Sequence, residues 1–150
     1  MSSIQSKPLQ VLVFGSSSPK TSQSYLDAAF ELGKLIAEKD CICVNGGGKY
    51  GVMGSLNQGA RENKGQIIGV LHESFIFDSE EDHAITKHIV TRGNDLNERK
   101  KQLFDNGDCI IVAPGGVGTL DEMWDAICGK SLKMKGSSYY SSIVIAPYMT

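Results

Sequence analysis

Runs of apolar residues alternate along the chain with segments in which apolar residues recur at a helical period. The short runs, rich in β-branched side chains, predict strands; they occupy residues 9–14, 41–45, 66–71, 89–91, 109–113 and 142–146. The segments with a helical period predict amphipathic helices; these cover residues 22–39, 52–63, 96–104 and about 119–132. Strands and helices therefore take turns along the chain.

This alternation favours a right-handed, mostly parallel sheet covered by helices. The sequence thus predicts an α/β fold, a Rossmann-like three-layer sandwich with a mostly parallel central sheet. We expect residues 9–150 to form a single domain and residues 1–8 to form a flexible N-terminal tail. The acidic segment at residues 75–87 predicts a solvated loop that can act as a lid.

Composition narrows the range of partners. A chain of 150 residues, 41% of them hydrophobic, is long enough to bury a sizeable core. The net charge of −2 gives no support to nucleic-acid binding, and no apolar run is long enough to cross a bilayer. The four cysteines lack a Cys-x-x-Cys spacing and the three histidines lack a metal-ligand spacing. We therefore expect a cytoplasmic protein without a metal or cofactor, and without a nucleic-acid or membrane partner.

The junction after the strand at residues 109–113 carries the most specific chemistry. Pro114 ends the strand, and a loop with three glycines opens the next helix; it contains Gly115, Gly116, Val117, Gly118 and Thr119. Thr119 is expected at the N-cap or in the first helical turn. Glycines expose backbone N–H groups, and the positive end of a helix dipole attracts anions. This loop therefore predicts a phosphate site.

Two carboxylates follow this loop, and we assign them different tasks. Both Asp121 and Glu122 are expected in the first helical turn. The simplest interpretation of Asp121 is a favourable interaction with the helix dipole. Glu122 lies one residue further round the helix and can face the phosphate loop. It is therefore a candidate for contact with a bound phosphate and its sugar.

Two further loops follow strand ends, at Gly15-Ser16 and at Gly46-Gly47. In parallel α/β sheets, ligands bind outside the carboxyl ends of the strands. We therefore expect the Gly46-Gly47 loop to meet the Gly115–Thr119 loop at one crevice. From the residues alone, Gly15-Ser16 is either a further phosphate or ribose loop or an ordinary polar turn between a strand and a helix.

Three motifs together resemble the Lonely-guy (LOG) family of phosphoribohydrolases. Pro114 to Glu122 matches its PGGxGTxxE signature, and Gly46 to Gly54, GGGKYGVMG, is similar to its GGGxxGLMG segment. Glu98-Arg99-Lys100 resembles the end of its Met-His-x-Arg-Lys helix motif, with Leu96-Asn97 in place of Met-His. This chain lacks that histidine, so its role is either absent or performed by another residue.

The resemblance implies an enzyme that hydrolyses the N-glycosidic bond of a purine riboside 5′-monophosphate, of adenosine or a cytokinin, to free base and ribose 5-phosphate. It implies that Arg99 and Glu122 are catalytic, that Lys100 joins the glycine loops in holding the substrate, and that no cofactor is needed. It also implies a homodimer with the site near the interface. The preferred base stays open, because it depends on a pocket formed by side chains such as Met53, Leu96 and Trp124, whose positions the sequence does not give.

Other functional classes are less consistent with these residues. A non-catalytic nucleotide-binding or carrier module could use the same loops, but it does not explain Arg99 and Glu122. A dinucleotide dehydrogenase is disfavoured because the GGGKYG segment does not follow the first strand. A pyridoxal-phosphate decarboxylase is the weakest alternative, because no lysine lies in a suitable context.

Overall fold

The computed structural model describes residues 6–77, 82–83, 85–134 and 142–146. These residues form six strands and five helices, which follow one another as β1 (Gln10–Phe14), α1 (Gln23–Glu38), β2 (Ile42–Asn45), α2 (Gly51–Glu62), β3 (Ile67–His72), α3 (Glu73–Phe77), β4 (Lys87–Thr91), α4 (Asn97–Asp105), β5 (Cys109–Val112), α5 (Val117–Ser131) and β6 (Ile143–Ile145). Residues 1–5 of the predicted tail lie outside the described residues.

The strands form one parallel sheet in the order β4-β3-β2-β1-β5-β6. The strand order reverses between β1 and β5, where Phe14 lies in register with Val112. A reversal of this kind leaves a crevice beyond the carboxyl ends of the two strands, because the connections leave towards opposite faces of the sheet. The predicted α/β, Rossmann-like class is confirmed.

Alternating residues of β1 divide the core into two layers. Val11 and Val13 belong to a cluster that includes buried residues of α1 and α2, whereas Leu12 and Phe14 belong to one that includes buried residues of α4 and α5. Successive side chains of a strand point to opposite faces, so a strand buried on both faces is apolar throughout. The sheet is thus the middle layer of the predicted sandwich.

Helices α1 and α2 approach each other closely through two glycines. A β-carbon added to Gly33 would collide with the backbone carbonyl of Leu56, and one added to Gly59 would collide with that of Phe30. Both glycines are buried. The close packing of this pair therefore depends on the absence of side chains at both positions.

The segment predicted as a solvated loop is partly ordered. Phe75 lies in the short helix α3, and Asp82 is tied to the core by hydrogen bonds to Gly47 and Asn57. The loop prediction was wrong at residues 75–77, which belong to α3, and at Lys87, which begins β4. In α3, Phe75 packs against Arg99, a partner that is distant in sequence. Asp82 does lie in a loop, as predicted. The other acidic residues of the segment, Asp78, Glu80 and Glu81, lie outside the described residues. No helix in the described part of the chain is long and apolar enough to cross a membrane.

Candidate functional site

A cavity of about 470 Å³ opens beyond the carboxyl ends of β1, β2 and β5. Of the twelve residues predicted for the site, nine line this cavity: Gly15, Ser16, Gly46, Arg99, Gly116, Val117, Gly118, Thr119 and Glu122. They come from loops or helices that are far apart in sequence, the most distant being Gly15 and Glu122, 107 positions apart. The parallel topology brings them together, because all the loops leave the same edge of the sheet.

Arg99 and Glu122 form an ion pair at the floor of the cavity. The Nη1 atom of Arg99 lies 3.5 Å from Oε1 of Glu122, and the two side chains are only 12% and 16% exposed. Arg99 is on α4 and Glu122 is on α5. Because both charges are largely withdrawn from water, each depends on the other more than in a surface pair.

The guanidinium of Arg99 is held on its other sides as well. Its Nε donates a hydrogen bond to the carbonyl of Val70 at 3.0 Å, and its Nη2 donates to the carbonyl of Gly46 at 3.2 Å. The ring of Phe75 lies beneath it, with its centroid 5.5 Å from Cζ. The planar fork is therefore fixed in orientation before any ligand binds.

Burial changes the protonation behaviour of the pair. Burial lowers the pKa of Arg99, and the negative charge of Glu122 opposes this change. Burial raises the pKa of Glu122 to about 7, against the opposing effect of Arg99. Carboxylates in desolvated sites favour the neutral form for this reason. Glu122 therefore exchanges its proton near neutral pH, which suits an acid-base or electrostatic role.

This raised pKa predicts a pH-dependent stability difference between the wild type and Glu122→Gln. The native carboxyl keeps its proton to a higher pH than the unfolded one, so its ionisation destabilises the fold as the pH rises from 4.5 to about 7. Glutamine never ionises. We expect the free energy of unfolding of Glu122→Gln, relative to wild type, to rise by about 3 kcal/mol between about pH 4 and about pH 8. Denaturant titrations of both proteins at a series of pH values measure this difference in unfolding free energy. A difference that does not change with pH would contradict the prediction.

The start of α5, at the end of the loop after β5, borders the cavity. Helix α5 begins at Val117 after Gly116 as its N-cap, and no side chain caps it. A β-carbon on Gly115 would collide with Thr119 Oγ1, whereas one on Gly116 or Gly118 would meet nothing within 4 Å. Uncapped N–H groups at a helix start favour an anion.

Asp121 and Glu122 lie outside the first turn of α5, because the helix begins earlier than the sequence predicted. Both predictions about their position in the first turn were therefore wrong. Asp121 does not cap the helix; its carboxylate lies 3.2 Å from the Nζ atom of Lys100.

The loop after β1 is joined to the loop after β5. The N–H of Ser16 donates to the carbonyl of Pro114 at 3.0 Å, and the hydroxyl of Ser16 lies 2.8 Å from that of Thr21. A β-carbon on Gly15 would meet Val52 at 2.5 Å. Gly15 thus permits close packing, and Ser16 connects the two polar walls of the cavity.

Three predicted substrate-binding residues do not line the cavity. Lys100 pairs with Asp121 and with Asp125, whose carboxylate is 3.3 Å from its Nζ atom. Gly47 turns behind the cavity wall with φ +78° against Leu71. Gly115 lies beside Ser16 at a neighbouring, more open depression. The structure gives Lys100 two partners on α5, so it connects the helices that carry Arg99 and Glu122.

Sequence reasoning missed the apolar part of the site. Met53, Leu71, Phe75 and Leu96 line the cavity beside the Arg99–Glu122 pair. The sequence named Met53 and Leu96 as candidates for the base pocket but could not place them. It did not predict Leu71 or Phe75. No sequence signal distinguishes them from core or loop residues. Trp124, a third candidate for the base pocket, is 63% exposed and does not line the cavity.

Residues 8–134 match the model of the SLOG cluster4 family. The chain belongs to the SLOG cluster4 family. Among curated relatives, it is 39% identical over 116 residues to a cytokinin riboside 5′-monophosphate phosphoribohydrolase of Mycobacterium tuberculosis, covering 77% of this chain and 60% of that one. It is 32% identical over 132 residues to an Arabidopsis thaliana protein of the same name, covering 88% and 57%. The LOG resemblance is thereby confirmed.

This SLOG cluster4 chain therefore spans little more than half the length of these curated relatives. Solved structures give a second comparison. A molybdenum cofactor binding protein of Rippkaea orientalis superposes with a TM-score of 0.71 at 26% identity, covering 94% of this chain and 90% of that one. The Moco carrier protein of Chlamydomonas reinhardtii superposes with a TM-score of 0.71 at 27% identity, covering 93% and 76%.

Proposed function

We propose that this chain hydrolyses the N-glycosidic bond of a purine riboside 5′-monophosphate, of adenosine or a cytokinin, and releases the free base and ribose 5-phosphate. The observation that carries the proposal is the buried Arg99–Glu122 pair, which lies in the cavity between a phosphate-type loop and an apolar region. The names of the curated relatives support the same reaction class.

The division of the cavity suits the three parts of such a substrate. The start of α5 at Gly116–Thr119 is suited to the 5′-phosphate, because no side chain caps the helix there and its positive end borders the cavity. Glu122 would then lie beside the ribose. The purine would occupy the apolar region that includes Met53 and Phe75, where its rings are removed from water.

The reaction needs a negative charge where the ribose becomes positive. As the bond between the anomeric carbon and the base nitrogen breaks, its electron pair leaves with the base and the ribose acquires oxocarbenium character. Water supplies hydroxide to the anomeric carbon and the base gains a proton. An ionised Glu122 stabilises the positive charge in this water-poor site, and Arg99 favours the ionised form.

The direct test is incubation of the purified protein with AMP and with isopentenyladenosine monophosphate, followed by chromatography of the products. We expect free base and ribose 5-phosphate in equal amounts, and a much slower reaction with the nucleosides, because they lack the phosphate that the loop holds. Measurable binding of both nucleotides without any base release would contradict the proposal.

A second candidate is a carrier without turnover. The length of the chain favours this candidate. The chain covers 90% of the molybdenum cofactor binding protein but only 60% of the M. tuberculosis enzyme. Leu96-Asn97 in place of Met-His also removes a residue type that catalysis often uses. Incubation with molybdenum cofactor released from a molybdoenzyme, desalting and measurement of bound molybdenum test this candidate. Retained molybdenum without base release would favour it.

We propose that the protein forms a homodimer and is cytoplasmic, and both stay predictions. The outward face of α5 carries Val117, Leu120 and Trp124, which are exposed although they are apolar. Val117 also lines the cavity, so a second copy on this face would contact the site.

A further inference from the structure

Four hydrogen bonds close a ring behind the cavity wall. The N–H of Gly47 donates to Oδ1 of Asn45 at 2.9 Å, and Nδ2 of Asn45 donates to Oδ1 of Asn57 at 2.6 Å. Nδ2 of Asn57 donates to Oδ2 of Asp82 at 3.1 Å, and the N–H of Asp82 donates back to the carbonyl of Gly47 at 2.9 Å. The ring joins the end of β2, helix α2 and the chain at Asp82.

The two asparagines of this ring are withdrawn from solvent completely. Asn45 and Asn57 are both 0% exposed, and the proposed reaction uses neither of them. An amide buried without partners costs about 1–3 kcal/mol, so a site of this kind is stable only if its donors and acceptors are matched. In the ring, Oδ1 of each asparagine accepts a hydrogen bond and Nδ2 of each donates one. These hydrogen bonds fix the position of the Gly46-Gly47 segment.

This segment is in direct contact with the candidate catalytic pair. The carbonyl of Gly46 accepts the hydrogen bond from Nη2 of Arg99, and Nη1 of the same guanidinium faces Glu122. A displaced Gly46 carbonyl would leave Nη2 without its acceptor. Because the guanidinium is planar and rigid, Nη2 and Nη1 would then change position together.

We propose that Asn57, through the ring of Asn45, Gly47 and Asp82, is a positioning residue that sets the orientation of Arg99 towards Glu122. The importance of this orientation for turnover rests on the proposed function. Its effect on the Arg99–Glu122 pair does not, and it is measurable without substrate.

The primary test is the titration of the Glu122 carboxyl carbon by NMR in protein labelled with ¹³C-glutamate, assigned with Glu122→Gln. The charged groups that influence this carboxyl are Arg99 and Lys100 on α4 and Asp121 on its own helix. Asn57→Leu breaks the ring without changing charge. We expect the Glu122 titration to move upward by about half a pH unit, because a misplaced Arg99 stabilises the carboxylate less.

A second variant separates positioning from simple electrostatics and covers the case in which Asn57→Leu does not fold. Asp82→Ala removes the acceptor of Asn57 at a partly exposed position. Loss of a negative charge alone would move the Glu122 titration downward, whereas a broken ring moves it upward. The double variant Asn57→Asp with Asp82→Asn keeps the total charge and reverses one hydrogen bond, so the titration should return to the wild-type value. An unchanged or lowered titration midpoint in folded Asp82→Ala would overturn the proposal.

Turnover, where present, adds an independent measurement. Asn57→Leu should lower kcat for base release about 10-fold and leave KM within about 2-fold, because the phosphate loop is untouched. The matched control is Gln58→Leu, the same change of an amide to an apolar side chain one residue further along α2, where Gln58 is exposed and contacts Glu62. This control should leave kcat unchanged. An equal effect of the two variants on kcat would contradict a specific role of Asn57.

Discussion

Replacing Glu122 by glutamine is expected to lower the rate of base release from AMP by about 10²–10³-fold. Glutamine keeps the size of the side chain and an oxygen that accepts from Arg99, but it carries no negative charge. The side chain is largely buried, so no solvent ion takes the place of the lost carboxylate. The loss should be in kcat, because the charge acts on the transition state rather than on the bound phosphate.

The matched control for this loss is Asp121→Asn, the same chemical change on the preceding residue. Asp121 is on the same helix, but its carboxylate is 58% exposed and faces Lys100 rather than the cavity. We expect this variant to keep kcat within about 3-fold of wild type, because exposed ion pairs contribute little. Equal losses in the two variants would show that the effect comes from helix α5 in general and not from Glu122.

Replacing Gly33 by alanine is expected to destabilise the protein by about 3 kcal/mol, although alanine is the better helix former. The added methyl group would collide with the carbonyl of Leu56, which is backbone and cannot change rotamer. Helices α1 and α2 must therefore separate, which disturbs the core cluster that includes Ala29 and Leu56. Urea denaturation of the wild type and the variant measures the difference.

Gly129→Ala is the matched control for that effect. Gly129 is also inside a helix, α5, but a β-carbon there would meet nothing within 4 Å. This variant should be more stable than wild type by up to about 1 kcal/mol, since alanine restricts the unfolded chain. If Gly33→Ala were as stable as Gly129→Ala, the close contact between α1 and α2 would not contribute to the fold.

Local patterns were sufficient to predict most of the elements. The strand Cys109–Val112 was visible because a strand buried on both faces is apolar throughout. Boundaries were less certain: α5 begins at Val117 without a capping side chain, so its start carried no sequence signal and was placed too late.

Part of the site was also predictable from local sequence patterns. Glycine loops that follow strands have a recognisable composition, and the sheet topology brings their ends to one edge, so the convergence of Gly46 and Gly116 followed from the alternation of elements. Lys100 was predicted as a substrate ligand from the family resemblance. In the structure, the Lys100 side chain points towards helix α5, because the carboxylates of Asp121 and Asp125 attract its positive charge.

The sequence by itself determined the α/β class, the family, the position of the glycine loops and the two charged residues Arg99 and Glu122. These features are encoded locally, in the spacing of apolar residues along the chain and in motifs a few residues long. Only the tertiary structure decided that Arg99 meets Glu122 at 3.5 Å, that Phe75 lies beneath Arg99, and that Asn57 is linked to the Gly46-Gly47 segment. Each of these contacts joins elements that are distant in sequence. Their distances and burial arise from how helices pack on the sheet, which no local pattern specifies.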